Sequence, residues 1–409
     1  MKKLKLGIAG LGARGSSLLK NVILSFDDVE VIAVCDELDF RIKEAQDAIR
    51  EKRGTEALGF TDYREVLKLD IDAFIIMTAW ESHVPLAIAS MEAGIPTAME
   101  VGGAYSVEDC YALVETYEKT GTPFMFLENC CFSKDELLAT AMLRKGLFGE
   151  LVYAEGAYAH DLRYEVSHGK ELHHYRLRNY LARNCENYPT HELLPIAKAM
   201  NINRGNRMVS LVSMASKSAG LKQYIADHKD TIDPELHNAT FAQGDVIDTI
   251  IKCAGGETIH LTLDTTLPRY YDRKFTLRGT KGMYTQTLNA VILDGPDLKE
   301  YFEPTASVRE YLDNAKKYEE DYLPEAWKAI TPEMLAAGHG GMDAIEFSVF
   351  FDAIREGKEM PLDVYDAASV MVISALTEQS IAMGGAPVAI PDFTHGAWLY
   401  REKKDVLPL

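Results

Sequence analysis

The sequence predicts an α/β chain in two parts: a doubly wound parallel sheet, then an α+β region whose open, mostly antiparallel sheet is flanked by helices. Three observations carry this. From Leu4 to Leu127 apolar strand-like runs alternate with helix-like stretches, the order of a parallel sheet with crossover helices. Beyond about residue 130 the rhythm changes to short runs that alternate apolar and polar, as half-buried antiparallel strands do. Between the first strand and the first helix lies Gly10-Leu11-Gly12-Ala13-Arg14-Gly15, with no spacer on either side. The division expected is 1–131 and 132–409.

Residues 4–9 read as a buried strand and 16–25 as the helix after the glycine turn. A second apolar strand covers 29–35, then a polar helix near 40–51 and a turn around 63–67. The next buried strand is 73–77, followed by a helix at 84–93 that Gly94 closes. A strand at 96–99, a helix at 107–120 stopped by Gly121, and a strand at 123–127 complete the alternation. In the second part a helix is expected at 134–145 and strands at 151–160, 209–214, 246–253, 258–267, 275–278, 283–286 and 290–293. Helices at 342–356 and 364–382 follow, and the tail 388–409 is apolar enough to pack back onto the body. Segments 164–185 and 217–235 read as long polar loops, which in folded domains tend to serve function.

With 409 residues, 47% hydrophobic and 26% charged, the chain can bury a large core in two or three domains. A formal net charge of −19 argues against nucleic acid or an anionic membrane surface as partner, since both select a basic face. A small molecule is expected instead. No apolar run nears the ~18 residues of a membrane span, and Met1-Lys2-Lys3 leads straight into the first strand, so a cytoplasmic protein is expected. The six cysteines (Cys35, Cys110, Cys130, Cys131, Cys185, Cys253) show no CxxC spacing and read as reduced structural thiols. No metal is expected, because His168, His173 and His174 lack a zinc-type spacing with a fixed carboxylate.

A strand, a glycine turn and a helix in direct succession are what dinucleotide binding requires. Gly10 permits the tight turn, Gly12 lets backbone approach a pyrophosphate, and Gly15 lets helix pack on strand, with Ala13 and Arg14 at the helix start facing the negative charge. About twenty residues further on, Asp36 ends the second strand where a carboxylate takes two ribose hydroxyls, which favours NAD. The strand ends add candidates for the same cofactor: Thr78, Trp80 and His83 after strand 73–77, then Glu100 and Asn129 after the next two. Trp80 is placed to face nicotinamide or ribose; His83 suits either the pyrophosphate or a plain helix start. His339 opens a helix through His339-Gly340-Gly341-Met342-Asp343 and is a candidate for the nicotinamide side.

Tyr158 and His160 stand two apart on a strand and so project from one sheet face, and Tyr188 and His191 stand three apart at a helix start and so point the same way. Two Tyr/His pairs supply neutral donors, acceptors and general bases near neutral pH, suited to hydroxyls and a carbon acid. Alone, any of these histidines would read as an ordinary loop or core residue. No separated carboxylate pair of the kind a conventional glycosidase uses is evident among Glu165, Glu171 and Glu186.

Five stretches carry a family resemblance: Thr78-Ala79-Trp80-Glu81-Ser82-His83, Leu127-Glu128-Asn129-Cys130-Cys131, Gly156-Ala157-Tyr158-Ala159-His160-Asp161-Leu162-Arg163, Tyr188-Pro189-Thr190-His191 with Met200-Asn201-Ile202-Asn203-Arg204-Gly205, and His339-Gly340-Gly341-Met342-Asp343. Across nearly its whole length the chain resembles the Gfo/Idh/MocA superfamily. Within it the motifs resemble the NAD-dependent glycosidases of glycoside hydrolase family 109, best known as α-N-acetylgalactosaminidases. The resemblance implies a Rossmann domain binding NAD, a carbohydrate substrate contacted by Tyr158, His160, Tyr188 and His191, with Tyr188 and His191 as acid/base groups, and a homo-oligomer, dimer or tetramer. Sugar dehydrogenases of the superfamily commonly carry Glu-Lys-Pro after the fifth strand, and the glycosidase branch Glu-Val-Pro. This chain has Glu100-Val101-Gly102, without the lysine and with glycine for proline.

That resemblance implies a tightly bound NAD that is recycled rather than consumed: sugar carbon 3 is oxidised, the carbon 2 proton becomes acidic, the glycosidic bond is lost by elimination, water adds, and the hydride returns. Two other readings of the same residues stay open here. One is an NAD(H)-dependent sugar or inositol dehydrogenase with Tyr188 or His191 as proton carrier; the other is a nucleotide-binding sensor that has lost its chemistry.

Overall fold

The alternating first part folds as its periodicity requires. In a computed structural model that describes residues 3–295 and 308–409, β1 (Leu4–Ala9), α1 (Ala13–Asn21), β2 (Val29–Cys35), α2 (Asp39–Arg53), β3 (Leu58–Phe60), α3 (Tyr63–Val66), β4 (Ala73–Ile76), α4 (Trp80–Glu92), β5 (Thr97–Glu100), α5 (Val107–Thr120) and β6 (Phe124–Leu127) follow one another. Met1 and Lys2 of the leading segment lie outside the described residues. The strands pair in parallel in the order β3-β2-β1-β4-β5-β6. Strand order reverses between β1 and β4, which opens a crevice at their carboxyl ends, where Gly10 begins the turn. The strands are apolar because both faces are covered: β4 and β6 are buried along their whole length. Local chemistry ends the helices. Ser106 caps α5 by accepting from the Asp109 N–H at 3.0 Å, and Gly54 and Gly121 close α2 and α5 in the left-handed region.

The second part holds α6 (Lys134–Arg144), β7 (Leu151–Ala159), α7 (Arg163–Ser167), α8 (Arg176–Ala182), α9 (Thr190–Ala199), β8 (Met208–Ala215), α10 (Gly220–Asp227), β9 (Val246–Cys253), β10 (Thr258–Asp264), β11 (Thr276–Gly279), β12 (Gly282–Thr285), β13 (Ala290–Leu293), α11 (Glu319–Tyr322) and α12 (Glu325–Lys328). After it come α13 (Pro332–Ala336), α14 (Met342–Glu356), α15 (Val364–Ala382) and β14 (Val388–Ala389). The eight described strands from β7 on form one sheet, β13-β12-β11-β7-β10-β9-β8-β14, in which only β10 and β7 run parallel. Pairing of β14 with β8, burial of Phe393 and an ion pair from Asp405 to Arg144 tie the tail down.

Several expectations need correction. Segments 164–185 and 217–235 are not loops throughout; they contain α7, α8 and α10, short helices whose polar composition hides a few buried anchors such as Val166, Tyr180 and Ile225. The helix expected at 84–93 already starts at Trp80, so Trp80 and His83 project from its first turns. The helix expected at 16–25 begins at Ala13 and gives way to a 3-10 turn at Ile23–Ser25, and β10 stops at Asp264 rather than 267.

The chain forms two compact units, Met1–Phe132 with Ala329–Ala368, and Ser133–Lys328 with Ser369–Leu409. The later segment joins the first unit through an edge-to-face pair of Phe26 and Phe351, 5.2 Å between centroids, and a hydrogen bond from Phe126 N–H to the Leu362 carbonyl.

Candidate active site

In the first unit the site begins at the carboxyl end of β1. Gly10 has φ +92, and a Cβ there would stand 2.3 Å from the Met77 backbone. A Cβ on Gly15 would stand 2.0 Å from the Gly10 carbonyl oxygen. Both glycines are therefore steric requirements of the turn. Gly12 is different: the nearest atoms to a Cβ there belong to the Arg41 guanidinium, the end of a flexible side chain, at 3.6 Å and beyond. Gly12 is the N-cap of α1 without a side-chain cap, and no acidic residue occupies the first turn, so backbone N–H groups at Ala13 and its neighbours suit a phosphate.

Asp36 is fixed beside this turn. Its Oδ2 accepts the Leu11 N–H at 2.7 Å, its Oδ1 accepts the Leu38 N–H at 3.0 Å, and Arg41 stands 3.7 Å away. A carboxylate offers about four acceptor positions, which leaves capacity for ribose hydroxyls. These features fit the NAD expectation. Arg41 was not singled out in the sequence, where it reads as a solvated residue of a polar helix.

The other cofactor candidates divide. Thr78 lies at the glycine turn, with its backbone N 2.5 Å from the position of a Gly10 Cβ, and its side chain accepts a hydrogen bond from Ser82. His83 is buried, with Nε2 at 2.9 Å from the Thr78 carbonyl; burial pulls its pKa down to about 4 against the effect of that carbonyl, so the ring is neutral. Its bond serves the turn after β4. Trp80 is also buried, and its indole lies on Gly102, where a Cβ would come within 2.4 Å of Cδ1. This packing explains glycine at 102 in place of proline.

Arg14, Glu100, Asn129 and His339 form one network. Arg14 donates to both oxygens of Asp343, at 2.8 and 2.9 Å, and through Nε to Glu100 Oε1 at 2.9 Å. Asn129 Nδ2 donates to Asp343 Oδ1 at 2.7 Å, and His339 Nδ1 lies 2.9 Å from Oδ2. Burial alone would raise the Asp343 pKa, but hydrogen bonds from Arg14 and His339 outweigh it and hold the carboxyl well below the usual range. The guanidinium is thus engaged by carboxylates and braces the end of β5 against α14, while Asn129 braces the end of β6 against the same Asp343.

In the second unit four sequence candidates meet. Tyr158 Oη-bearing ring, at the end of β7, lies 4.5 Å from the Tyr188 ring and 5.8 Å from both His160 and His191, centroid to centroid. Tyr188 Oη and His191 Nε2 are 3.3 Å apart. The reason is local: α9 starts at Thr190 and crosses β7 at Gly156, where a Cβ would stand 2.3 Å from the Glu192 carbonyl oxygen. Burial lowers the His160 pKa, opposed by the Asp161 carbonyl. Two neighbours were not found in the sequence. Arg176 lies over the Tyr188 ring at 5.1 Å and pairs with Glu165, and Tyr271 stands edge-on to His160 at 5.3 Å. Arg176 lies in segment 164–185, which the sequence shows only as polar, and an exposed tyrosine between strands carries no sequence signal.

Residues 132–400 match the model of the glycosyl hydrolase 109 C-terminal domain. The chain belongs to glycosyl hydrolase family 109. Residues 4–127 match the NAD-binding Rossmann fold of the oxidoreductase family, so the first unit is a dinucleotide-binding domain of that type. An alpha-N-acetylgalactosaminidase of Tannerella forsythia is 37% identical over 98% of this chain and 88% of its own length. A glycosyl hydrolase family 109 protein of Stenotrophomonas maltophilia is 35% identical, over 98% and 91%. Among solved structures, levoglucosan dehydrogenase in complex with NADH and levoglucosan has a TM-score of 0.71 at 19% identity, covering 96% of this chain and all of that one. An Agrobacterium radiobacter oxidoreductase in complex with NAD+, L-tartaric acid and magnesium has a TM-score of 0.65 at 16% identity, over 95% and 98%. These two likenesses are of fold. As a family 109 member the chain carries buried Val101 where sugar dehydrogenases of this fold commonly carry lysine. No helix among the described residues is long and apolar enough to cross a membrane.

Proposed function

We propose that this chain hydrolyses glycosides, N-acetylgalactosaminides or related hexosides, by way of a transient oxidation at sugar carbon 3, with NAD held tightly and restored in each turnover. The observation that carries the reading is the Tyr188–His191 contact at 3.3 Å inside a cluster with Tyr158, in a chain that belongs to family 109. The names of the relatives supply the sugar class.

NAD, when bound, supplies a reversible acceptor for the carbon 3 hydride. Gly10, Gly12, Gly15 and the start of α1 would hold its pyrophosphate, and Asp36 its ribose hydroxyls. Tyr158 and His160 orient the sugar hydroxyls. With carbon 3 at the ketone level, the Tyr188–His191 pair takes the carbon 2 proton, which permits loss of the group at carbon 1; the same pair returns a proton to carbon 2 after water has added. This route needs no separated pair of carboxylates, and none was expected.

Nitrophenyl glycosides, the N-acetylgalactosaminide included, test this. Nitrophenol release without net NADH supports the reading, whereas net NADH from free sugar would assign the chain to the sugar dehydrogenases. As a further part of the proposal, the protein works in the cytoplasm as a dimer or tetramer. Six free, buried cysteines fit a reducing compartment, and light scattering reads the mass.

A further inference from the structure

Two carboxyl groups that the mechanism above does not use lie directly behind its residues. Glu186 and Glu192 flank the Tyr188–His191 stretch, and both are buried, at 0% and 1% exposure. Glu186 Oε1 accepts the Tyr188 N–H at 3.3 Å, while Glu192 lies against the backbone of Tyr158 and Thr262 and against Glu186 itself. Glu186 Oε2 and both Glu192 oxygens are buried with no regular hydrogen-bond donor among the described residues. Ionised carboxylates only accept. Two of them in contact, shielded from water and with no cation partner among the described residues, would repel; a proton on one supplies the missing donor.

We propose that Glu186 and Glu192 form a carboxylic acid–carboxylate pair that shares a proton and so positions Tyr188, His191 and Tyr158 for acid–base work at the sugar. Glu186 is anchored at its own backbone: its N–H donates to Thr377 Oγ1 at 3.0 Å, and its carbonyl accepts from Ser374 Oγ at 2.6 Å. The pair therefore fixes the entry to α9 to β7 on one side and α15 on the other. Burial of both groups pushes each carboxyl above its ordinary range, which keeps the proton in place near neutral pH. The other ionisable groups around it are Asp248, which engages His260 and Thr262, and the Tyr158, Tyr188 and His191 side chains of the site itself. Loss of the shared proton at alkaline pH would leave two buried anions and loosen the Tyr188 and Tyr158 backbones. The positioning role rests on the glycosidase reading, but the proton pair does not.

Glutamine keeps the shape and supplies an amide donor, so Glu192→Gln, Glu186→Gln and the double variant form the test. In the intact protein at neutral pH, infrared difference spectra should show a protonated carboxyl stretch lost in the double variant; no difference overturns the pair. For nitrophenyl glycoside turnover, each single variant should keep kcat within about threefold at its optimum. The alkaline limb of kcat/KM should move up by about one pH unit or more. An unmoved limb with the carboxyl stretch lost overturns the positioning role. If the unsubstituted protein turns over no glycoside, the glycosidase reading fails on that result while the infrared comparison still decides the pair.

Discussion

Arg14 and Asp343, 329 positions apart, form a two-toothed ion pair with contacts of 2.8 and 2.9 Å, and the same guanidinium reaches Glu100 at 2.9 Å. Asp343 is wholly buried and Arg14 partly so. Arg14→Leu strands Asp343 without its main cation and should cost about 3–5 kcal/mol in urea unfolding. Arg14→Lys should fall between, since an ammonium cannot make both teeth and reach Glu100.

The Asp36 carboxylate holds the Leu11 N–H, with Arg41 beside it. Asp36→Ser should weaken NAD binding by about tenfold or more, since one charge-assisted bond is worth about 1.5–3 kcal/mol. Because Arg41 would then face the ribose without a repelling carboxylate, the NADP to NAD affinity ratio should rise. Calorimetric titration of both dinucleotides reads the two effects.

Glu346, next to this network, is buried with both carboxyl oxygens lacking a hydrogen-bond partner among the described residues. Burial pushes its carboxyl far above the usual range, and Glu100 and Asp343 add to that while Arg14 opposes it. The folded state thus holds the proton more tightly than the unfolded chain. Its contribution to stability is complete below the unfolded value of about 4.3, and is lost as pH rises toward the folded value. Glu346→Gln removes that loss, so its melting temperature relative to the unsubstituted protein should climb steadily from pH 5 to pH 9.

Tyr188→Phe and His191→Asn remove the two ends of the 3.3 Å contact. Each should lower kcat by about 10²–10⁴, with NAD affinity unchanged because neither residue belongs to the glycine turn or the Asp36 shelf. Steady-state kinetics with a parallel NAD titration checks both halves.

The sequence carried most of the architecture where local signals act alone. The bounds of β2, α5, β9, α14 and α15 follow directly from apolar periodicity and from closing glycines such as Gly121 and Gly357. Neighbours within a few residues, such as Tyr188 and His191, were equally legible. Long-range partners were not. Nothing at Arg14 announces Asp343, and Glu186, Glu192 and Glu346 look like solvated charges until the fold buries them. Arg41, Arg176 and Tyr271 gain meaning only from the rings and turns that folding brings beside them. Segments 164–185 and 217–235 misled because a short helix with one buried face has too few turns to show a period.

In the proposed mechanism the glycosidic bond breaks by elimination after removal of the carbon 2 proton. Hydrolysis of the nitrophenyl N-acetylgalactosaminide in deuterium oxide, with mass and proton spectra of the released sugar, tests it most directly. One deuterium at carbon 2 and none at carbon 3 is the result expected of elimination; released sugar without deuterium at carbon 2 would rule that route out.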